Sequence, residues 1–236
     1  MTPNLREKCG VVGIFIPNEN VSRLTFLSLY ALQHRGQECA GIATFNKNKI
    51  SVHASMGLVN QVFNQGILDQ LKGNFSIGHT RYSTTGSSSS INAQPLLFDC
   101  ELGSIAVSHN GNIVNADILR YDLEKQGVQF ITSSDTEVLA QLICVAPGKN
   151  WQEKIKYMMQ KVEGAYSLAV LVKDKIYAVR DPFGIRPLSL GKINDGWIFA
   201  SETCAFDHLG AEYVRDIEAG EILEISNSGN FSLQAI

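Results

Sequence analysis

The sequence has no long apolar run and no cluster of basic residues. No stretch approaches the roughly 20 apolar residues that a membrane helix needs, and residues 1–8 lack the apolar core of a signal peptide. The net charge is −3, so the chain offers no basic patch for nucleic acid. These absences argue against a membrane protein and against a nucleic-acid partner, and they predict a cytoplasmic chain.

Cysteines are few and scattered. There are five in 236 residues, none in a Cys-x-x-Cys pair: Cys9, Cys39, Cys100, Cys144 and Cys204. This spacing argues against a disulfide framework and against a structural zinc or iron–sulfur site. We therefore expect no metal among the site residues and no cofactor within this chain.

What the chain does contain is typical of a globular α+β protein. Hydrophobic residues make up 44% and charged residues 18%. Residue periodicity predicts helices over 21–33, 115–126, 136–146 and 151–162, and a long polar loop over 82–95. It predicts strands over 9–16, 41–46, 50–54, 74–79, 105–108, 165–173, 175–180, 188–192, 197–201, 220–226 and 230–233. Many strands with few, segregated helices favour a layered α+β domain.

Cys9 stands at the head of the first predicted strand, close to the amino terminus. Removal of residues 1–8 would make it the first residue of the chain. Its own α-amino group, with a pKa of roughly 7.7–8.0, would then be a general base beside the thiol. The alternative is a small buried cysteine that only begins a core strand.

Three further segments carry candidate site residues, each with a structural alternative. Arg35 and Gly36 follow a predicted helix and also fit a C-cap. Arg81, at a strand end before the polar loop, can grip a carboxylate or pair with a surface neighbour. Asp135 can hold an ammonium group or belong to a helix cap.

Asn110 and Gly111 follow a short strand. An Asn-Gly pair favours a hairpin turn, but a side-chain amide and a neighbouring backbone N–H can also form an oxyanion hole. Combined with Cys9, Arg81 and Asp135, these residues suit attack on the side-chain amide of glutamine. None of the five histidines is required as a base in that scheme.

At these residues the chain resembles the class II glutamine amidotransferases, whose glutaminase domains are N-terminal nucleophile hydrolases. Within them it is similar to the glutaminase half of the amidophosphoribosyltransferases of purine synthesis. The matching segments run in order along essentially the whole chain: 9–15, 32–38, 78–86, 108–112, 134–138, 180–187 and 214–216.

The resemblance implies a four-layer α/β/β/α sandwich and assigns roles by position. Cys9 becomes the nucleophile, and Asn110 and Gly111 form the oxyanion hole. Arg81 binds the α-carboxylate of glutamine, and Asp135 binds its α-amino group. Arg35 and Gly36 would lie near the nucleophile, and Thr84 in a loop that closes over glutamine.

Two departures from the family pattern bear on function. Residues 1–8 precede Cys9, so we expect a cleaved propeptide, with 9–236 as the glutaminase domain. No sequence resembling a phosphoribosyltransferase domain follows, so we expect a fragment, a split subunit or a stand-alone glutaminase, with that domain in an absent part of the chain or in a partner subunit. Whether the chain forms a homo-oligomer is left open. The alternatives are a catalytically silent glutamine-binding or regulatory module, and a papain-like Cys–His hydrolase.

Overall fold

The computed structural model describes residues 9–82 and 90–236. The strands of this part of the chain are β1 (Gly10–Phe15), β2 (Cys39–Asn46), β3 (Lys49–Met56), β4 (Phe75–Arg81), β5 (Leu96–Cys100), β6 (Gly103–Ile113), β7 (Gly164–Val172), β8 (Lys175–Arg180), β9 (Ser189–Ile193), β10 (Gly196–Ala200), β11 (Glu212–Asp216), β12 (Glu221–Ser226) and β13 (Gly229–Gln234). The helices are α1 (Ser22–Ala31), α2 (Val59–Val62), α3 (Gln65–Gln70), α4 (Ala116–Lys125), α5 (Asp135–Val145), α6 (Trp151–Lys161) and α7 (Cys204–Asp207).

The strands form two sheets whose neighbouring strands are antiparallel. The first sheet has the order β11-β9-β10-β1-β4-β2-β3, and the second has the order β13-β12-β8-β7-β6-β5. Strand β1, which follows Cys9, has neighbours on both sides, whereas the part of β6 that carries Asn110 pairs only with β7.

Alternating side chains explain the layering. Along β6, Ala106 packs between the two sheets, whereas Ile105 and Val107 pack against α5 and α6. Phe15 and Phe75 stack in the core between the sheets, with ring centroids 4.3 Å apart. A third core joins α1 to the outer face of the first sheet. The result is the four-layer α/β/β/α sandwich that the resemblance implies, and that expectation is confirmed.

Most predicted elements are confirmed within a few residues. The helix predicted over 21–33 is α1 followed by a 3₁₀ turn at Gln33–Arg35. The pattern missed the strands β5 and β11 and the short helices α2, α3 and α7. Within residues 9–82 and 90–236, no helix is long and apolar enough to cross a membrane.

Two expectations are wrong. The Asn-Gly pair is not a turn, because β6 continues to Ile113 and both residues pair with β7. The cysteines are not all unpaired: Cys100 at the end of β5 and Cys144 on α5 form a disulfide. The two cysteines are 44 residues apart in the sequence, so their spacing did not predict the bond. They meet because α5 packs beside β5.

Candidate active site

The backbone of Cys9 is held on both sides by one residue. Its N–H donates to the Arg35 carbonyl at 3.1 Å, and its own carbonyl accepts from Arg35 Nε at 2.6 Å. The thiol contacts the Tyr82 carbonyl oxygen, with an Sγ–O distance of 3.6 Å. Within the described residues, no histidine nitrogen bonds to this thiol, so the Cys–His alternative has no structural support.

The environment of Cys9 disfavours its thiolate form. Burial raises its pKa, the negative charge of Asp135 adds to that effect, and the positive charges of Arg81 and Arg186 only partly oppose it. A nucleophile with a raised pKa needs a nearby base. The Cys9 nitrogen is the atom whose freed amine would supply that base.

Arg35 and Gly36 fix the geometry beside the nucleophile. The Arg35 side chain is 1% exposed and forms an ion pair with Glu202. Gly36 has an extended backbone, with φ of −160°, so it is not the left-handed C-cap that the sequence offered as an alternative. A Cβ on Gly36 would lie 2.6 Å from backbone atoms of Arg81, so only glycine allows this close approach.

The backbone of β6 points a row of N–H groups away from β7. Strand β5 pairs with β6 only as far as Val107. Beyond it, the His109 N–H donates to Gln94 Oε1 at 2.7 Å, and the Ile113 N–H donates to Asp135 Oδ2 at 3.2 Å. Because alternate residues of a strand direct their N–H groups to the same side, the Gly111 N–H between them points to this side as well.

Asn110 is fully buried, and strand alternation directs its side chain into the layer between the sheets. Neither its Nδ2 nor its Oδ1 has a hydrogen-bond partner within the described part of the chain. A buried unpaired amide costs about 1–3 kcal/mol, and functional sites are where such a cost persists. Within the described residues, Asn110 therefore carries an unpaired amide donor on the residue next to Gly111.

Gly111 cannot be replaced without displacing its neighbours. A Cβ there would lie 2.1 Å from the Ala165 carbonyl oxygen and 2.7 Å from His109 Nε2. The absence of a side chain therefore brings the β6 backbone directly to the cavity.

Asp135 is the first residue of α5, but it does not cap the helix. The Ser134 hydroxyl accepts from the Thr136 N–H at 3.1 Å, so Ser134 is the cap. Asp135 instead lies 3.5 Å from His109 Nδ1. Burial opposes the Asp135 charge, but His109 and the Ile113 N–H outweigh it and hold the pKa of the carboxyl below its usual value.

One small cavity brings four of the predicted residues together, whereas Asn110, Arg35 and Gly36 are not among the residues that line it. Cys9, Arg81, Gly111 and Asp135 all line it, and the remaining lining residues are Tyr82, Gln94, His109 and Ser134. Arg81, 7% exposed, ends β4 and donates to the Asn92 carbonyl oxygen at 3.2 Å. Thr84 lies outside the described residues.

Sequence reasoning missed four residues that support this site. Gln94 and His109 hold β6 and Asp135 in place, Glu202 pairs with Arg35, and Arg186 adds positive charge near the thiol. His109 lies next to Asn110, inside the segment 108–112, so its position in the sequence could have identified it as a site residue. Glu202 is 167 positions from Arg35, and no periodicity connects them.

Comparison with known proteins identifies the family of this chain. A family model described as a glutamine amidotransferase domain matches residues 79–208. The chain belongs to the glutamine amidotransferase family. It is 48% identical to the amidophosphoribosyltransferase of Synechocystis over 229 residues, and 45% identical to that of Bacillus subtilis over 226 residues. These alignments cover 94% and 95% of this chain, but only 46% and 47% of the relatives.

The structure of the B. subtilis glutamine phosphoribosylpyrophosphate amidotransferase, complexed with ADP and GMP, matches this member of the glutamine amidotransferase family with a TM-score of 0.91. Identity is 43%, and the match covers 97% of this chain and 49% of the other. A protein from Silicibacter pomeroyi described as a glutamine aminotransferase class-II domain protein shares the fold, with a TM-score of 0.62 at 12% identity. The chain thus spans about half the length of the curated relatives it matches.

Proposed function

We propose that this chain hydrolyses the side-chain amide of glutamine to glutamate and ammonia. The observation that carries the proposal is the single cavity lined by a thiol, a cation, an anion and Gly111. Arg81 can bind an α-carboxylate and Asp135 an α-ammonium group, so a free amino acid is held by its main-chain end. Its side chain then extends to Cys9.

The reaction begins with the freed α-amine of Cys9. That amine keeps the Arg35 carbonyl as its hydrogen-bond acceptor, while its lone pair takes the proton from the Cys9 thiol. The thiolate attacks the side-chain amide carbon of glutamine and forms a C–S bond. The amide oxygen becomes an oxyanion, which Asn110 Nδ2 and the Gly111 N–H stabilise.

Collapse of this intermediate breaks the C–N bond. The protonated α-amine returns its proton to the leaving nitrogen, and ammonia departs. Water, deprotonated by the same amine, attacks the thioester; glutamate leaves, and the thiol is restored. Arg81 and Asp135 fix the orientation in both halves of the reaction.

We further propose that the ammonia passes to a phosphoribosyltransferase domain or subunit, where it forms phosphoribosylamine for purine synthesis. Support comes from relatives about twice as long, named amidophosphoribosyltransferases. Residues 1–8 lie outside the described residues, and their removal before Cys9 stays a prediction.

Glutamate release separates this proposal from a silent binding module. We expect a chain that begins at Cys9 to release glutamate, and its Cys9→Ala variant to bind glutamine without turnover. Glutamine binding by both proteins with no glutamate release by either would contradict the proposal and favour the binding module. Loss of folding in the variant is checked by its circular dichroism.

A further inference from the structure

Three possible metal ligands meet on the first sheet's helical side, outside the cavity that holds the reaction. They are His34 in the 3₁₀ turn after α1, Glu202 after β10, and Cys204 at the start of α7. His34 Nε2 lies 3.0 Å from Glu202 Oε2, and Cys204 Sγ lies 3.8 Å from the same oxygen. All three donor atoms lie within 4.8 Å of one another.

We propose that His34, Glu202 and Cys204 form a binding site for Zn²⁺ or a similar borderline-soft divalent ion. Zinc takes imidazole nitrogen, thiolate and carboxylate oxygen at about 2.0–2.3 Å. Donor atoms separated by 3.0 to 4.8 Å leave room for one ion at these distances from each. The proposal does not depend on glutaminase activity.

The surroundings of His34 orient it as a ligand. Its Nδ1 lies 3.0 Å from the Ala31 carbonyl oxygen, which can only accept. Nδ1 therefore carries the hydrogen, and the Nε2 of a neutral ring presents its lone pair to the Glu202 carboxylate. Two acceptors 3.0 Å apart repel unless a cation lies between them. A proton or a metal ion satisfies this arrangement, and the thiol of Cys204 beside it favours the metal.

The second oxygen of Glu202 is already occupied. Oε1 pairs with Arg35, so Oε2 is the oxygen left for an ion. The Arg35 charge opposes a dication, while the thiolate formed by Cys204 on binding offsets it. The His34 side chain is 56% exposed, which gives an ion a route in and water access to a fourth coordination position.

Sequence spacing gave no sign of this group, because His34 lies 168 positions from Glu202. A metal bound there would contradict the expectation of no metal in this chain. A metal held by Glu202 Oε2 would also fix the carboxylate that pairs with Arg35, the residue that bonds to both backbone groups of Cys9.

Cobalt binding tests the proposal, because a Co²⁺–thiolate bond produces a charge-transfer absorption band. The parent protein is the full chain with Cys9→Ala, so that the nucleophile cannot chelate, and the Cys100–Cys144 disulfide is kept oxidised. We expect one equivalent of Co²⁺ to bind with this band, and Zn²⁺ to displace it.

Two variants assign the ligands in that parent. Cys204→Ser should abolish the band, and His34→Ala should weaken Co²⁺ binding at least about tenfold. His34 is largely exposed, so its variant is expected to fold. Cys39→Ser and His53→Ala are the matched controls and should bind as the parent does. Absence of a saturable band in the parent, or its persistence in Cys204→Ser, would overturn the proposal.

Discussion

Replacing Asn110 with alanine separates its catalytic contribution from its contribution to stability. Loss of one oxyanion donor lowers kcat by about 10²–10³, which corresponds to roughly 3–4 kcal/mol. The KM for glutamine should change little, because in the proposed reaction Arg81 and Asp135 hold the other end of the substrate. Alanine keeps the strand conformation and adds no charge.

The folded state should barely respond to Asn110→Ala. Both amide atoms of Asn110 are buried and unpaired within the described residues, a cost of about 1–3 kcal/mol that alanine removes. The cavity left behind costs a similar amount. The free energy of unfolding should therefore stay within about 1 kcal/mol of the parent value.

Asn115 is the matched control. Its Nδ2 donates to the Lys161 carbonyl oxygen at 2.9 Å, and its Oδ1 accepts from the Glu163 N–H at 3.0 Å. Asn115→Ala loses both bonds and should destabilise by about 1–3 kcal/mol with an unchanged kcat. Urea unfolding and glutamate release measure the two effects. The reasoning fails if Asn110→Ala is destabilised as much as Asn115→Ala while kcat stays within about threefold of the parent.

Three other substitutions test the rest of the site and its support. Arg81→Ala should raise the KM for glutamine far more than Arg81→Lys, because lysine keeps the positive charge and loses only the planar, bidentate guanidinium. Equal KM values for these two variants in steady-state kinetics would show that Arg81 does not bind the substrate carboxylate. Asp135→Asn should also raise KM. Because the folded pKa of Asp135 lies below its unfolded value, its charge stabilises the fold above about pH 4, and that stabilisation is lost as pH falls through the folded pKa. The difference in unfolding free energy between parent and Asp135→Asn should be constant near neutral pH and shrink below about pH 4; a difference that grows on acidification would refute this sign. Asp181, fully buried, accepts from the N–H groups of Phe183, Ile185 and Arg186, so Asp181→Ala should cost about 3–5 kcal/mol in urea unfolding; a loss below about 1 kcal/mol would contradict that role.

Local pattern predicted much of the fold. Continuous apolar runs located β1, β7 and β8, because both faces of these strands are buried. Helical spacing of apolar residues located α5 and α6. The sequence pattern did not predict the short helices α2 and α7, because a helix of four residues is too short to show a periodicity.

The continuation of β6 shows where local rules fail. An Asn-Gly pair favours a turn in isolation, but here its pairing with β7 extends the strand to Ile113. Tertiary pairing therefore outweighs the turn preference at these two residues. Their place in a strand, and not in a turn, is also what directs the Gly111 N–H away from β7.

The sequence predicted the chemical groups of the site, but it did not predict the neighbouring residues that hold those groups in place. Thiol, cation and carboxylate were identifiable from residue type and position along the chain. The contacts of Arg35 with Glu202 and of His109 with Asp135 depend on packing between distant segments, which no local pattern encodes. The disulfide between Cys100 and Cys144 has the same origin.

The central claim, that Cys9 is an N-terminal nucleophile, is tested most directly by mass spectrometry after reaction with a diazoketone analogue of glutamine. Such an analogue alkylates the thiol that attacks the glutamine amide. The account predicts one adduct, on a peptide whose first residue is Cys9 and whose α-amine is unmodified. An adduct on another cysteine, or glutaminase activity from a chain still carrying residues 1–8, would contradict it.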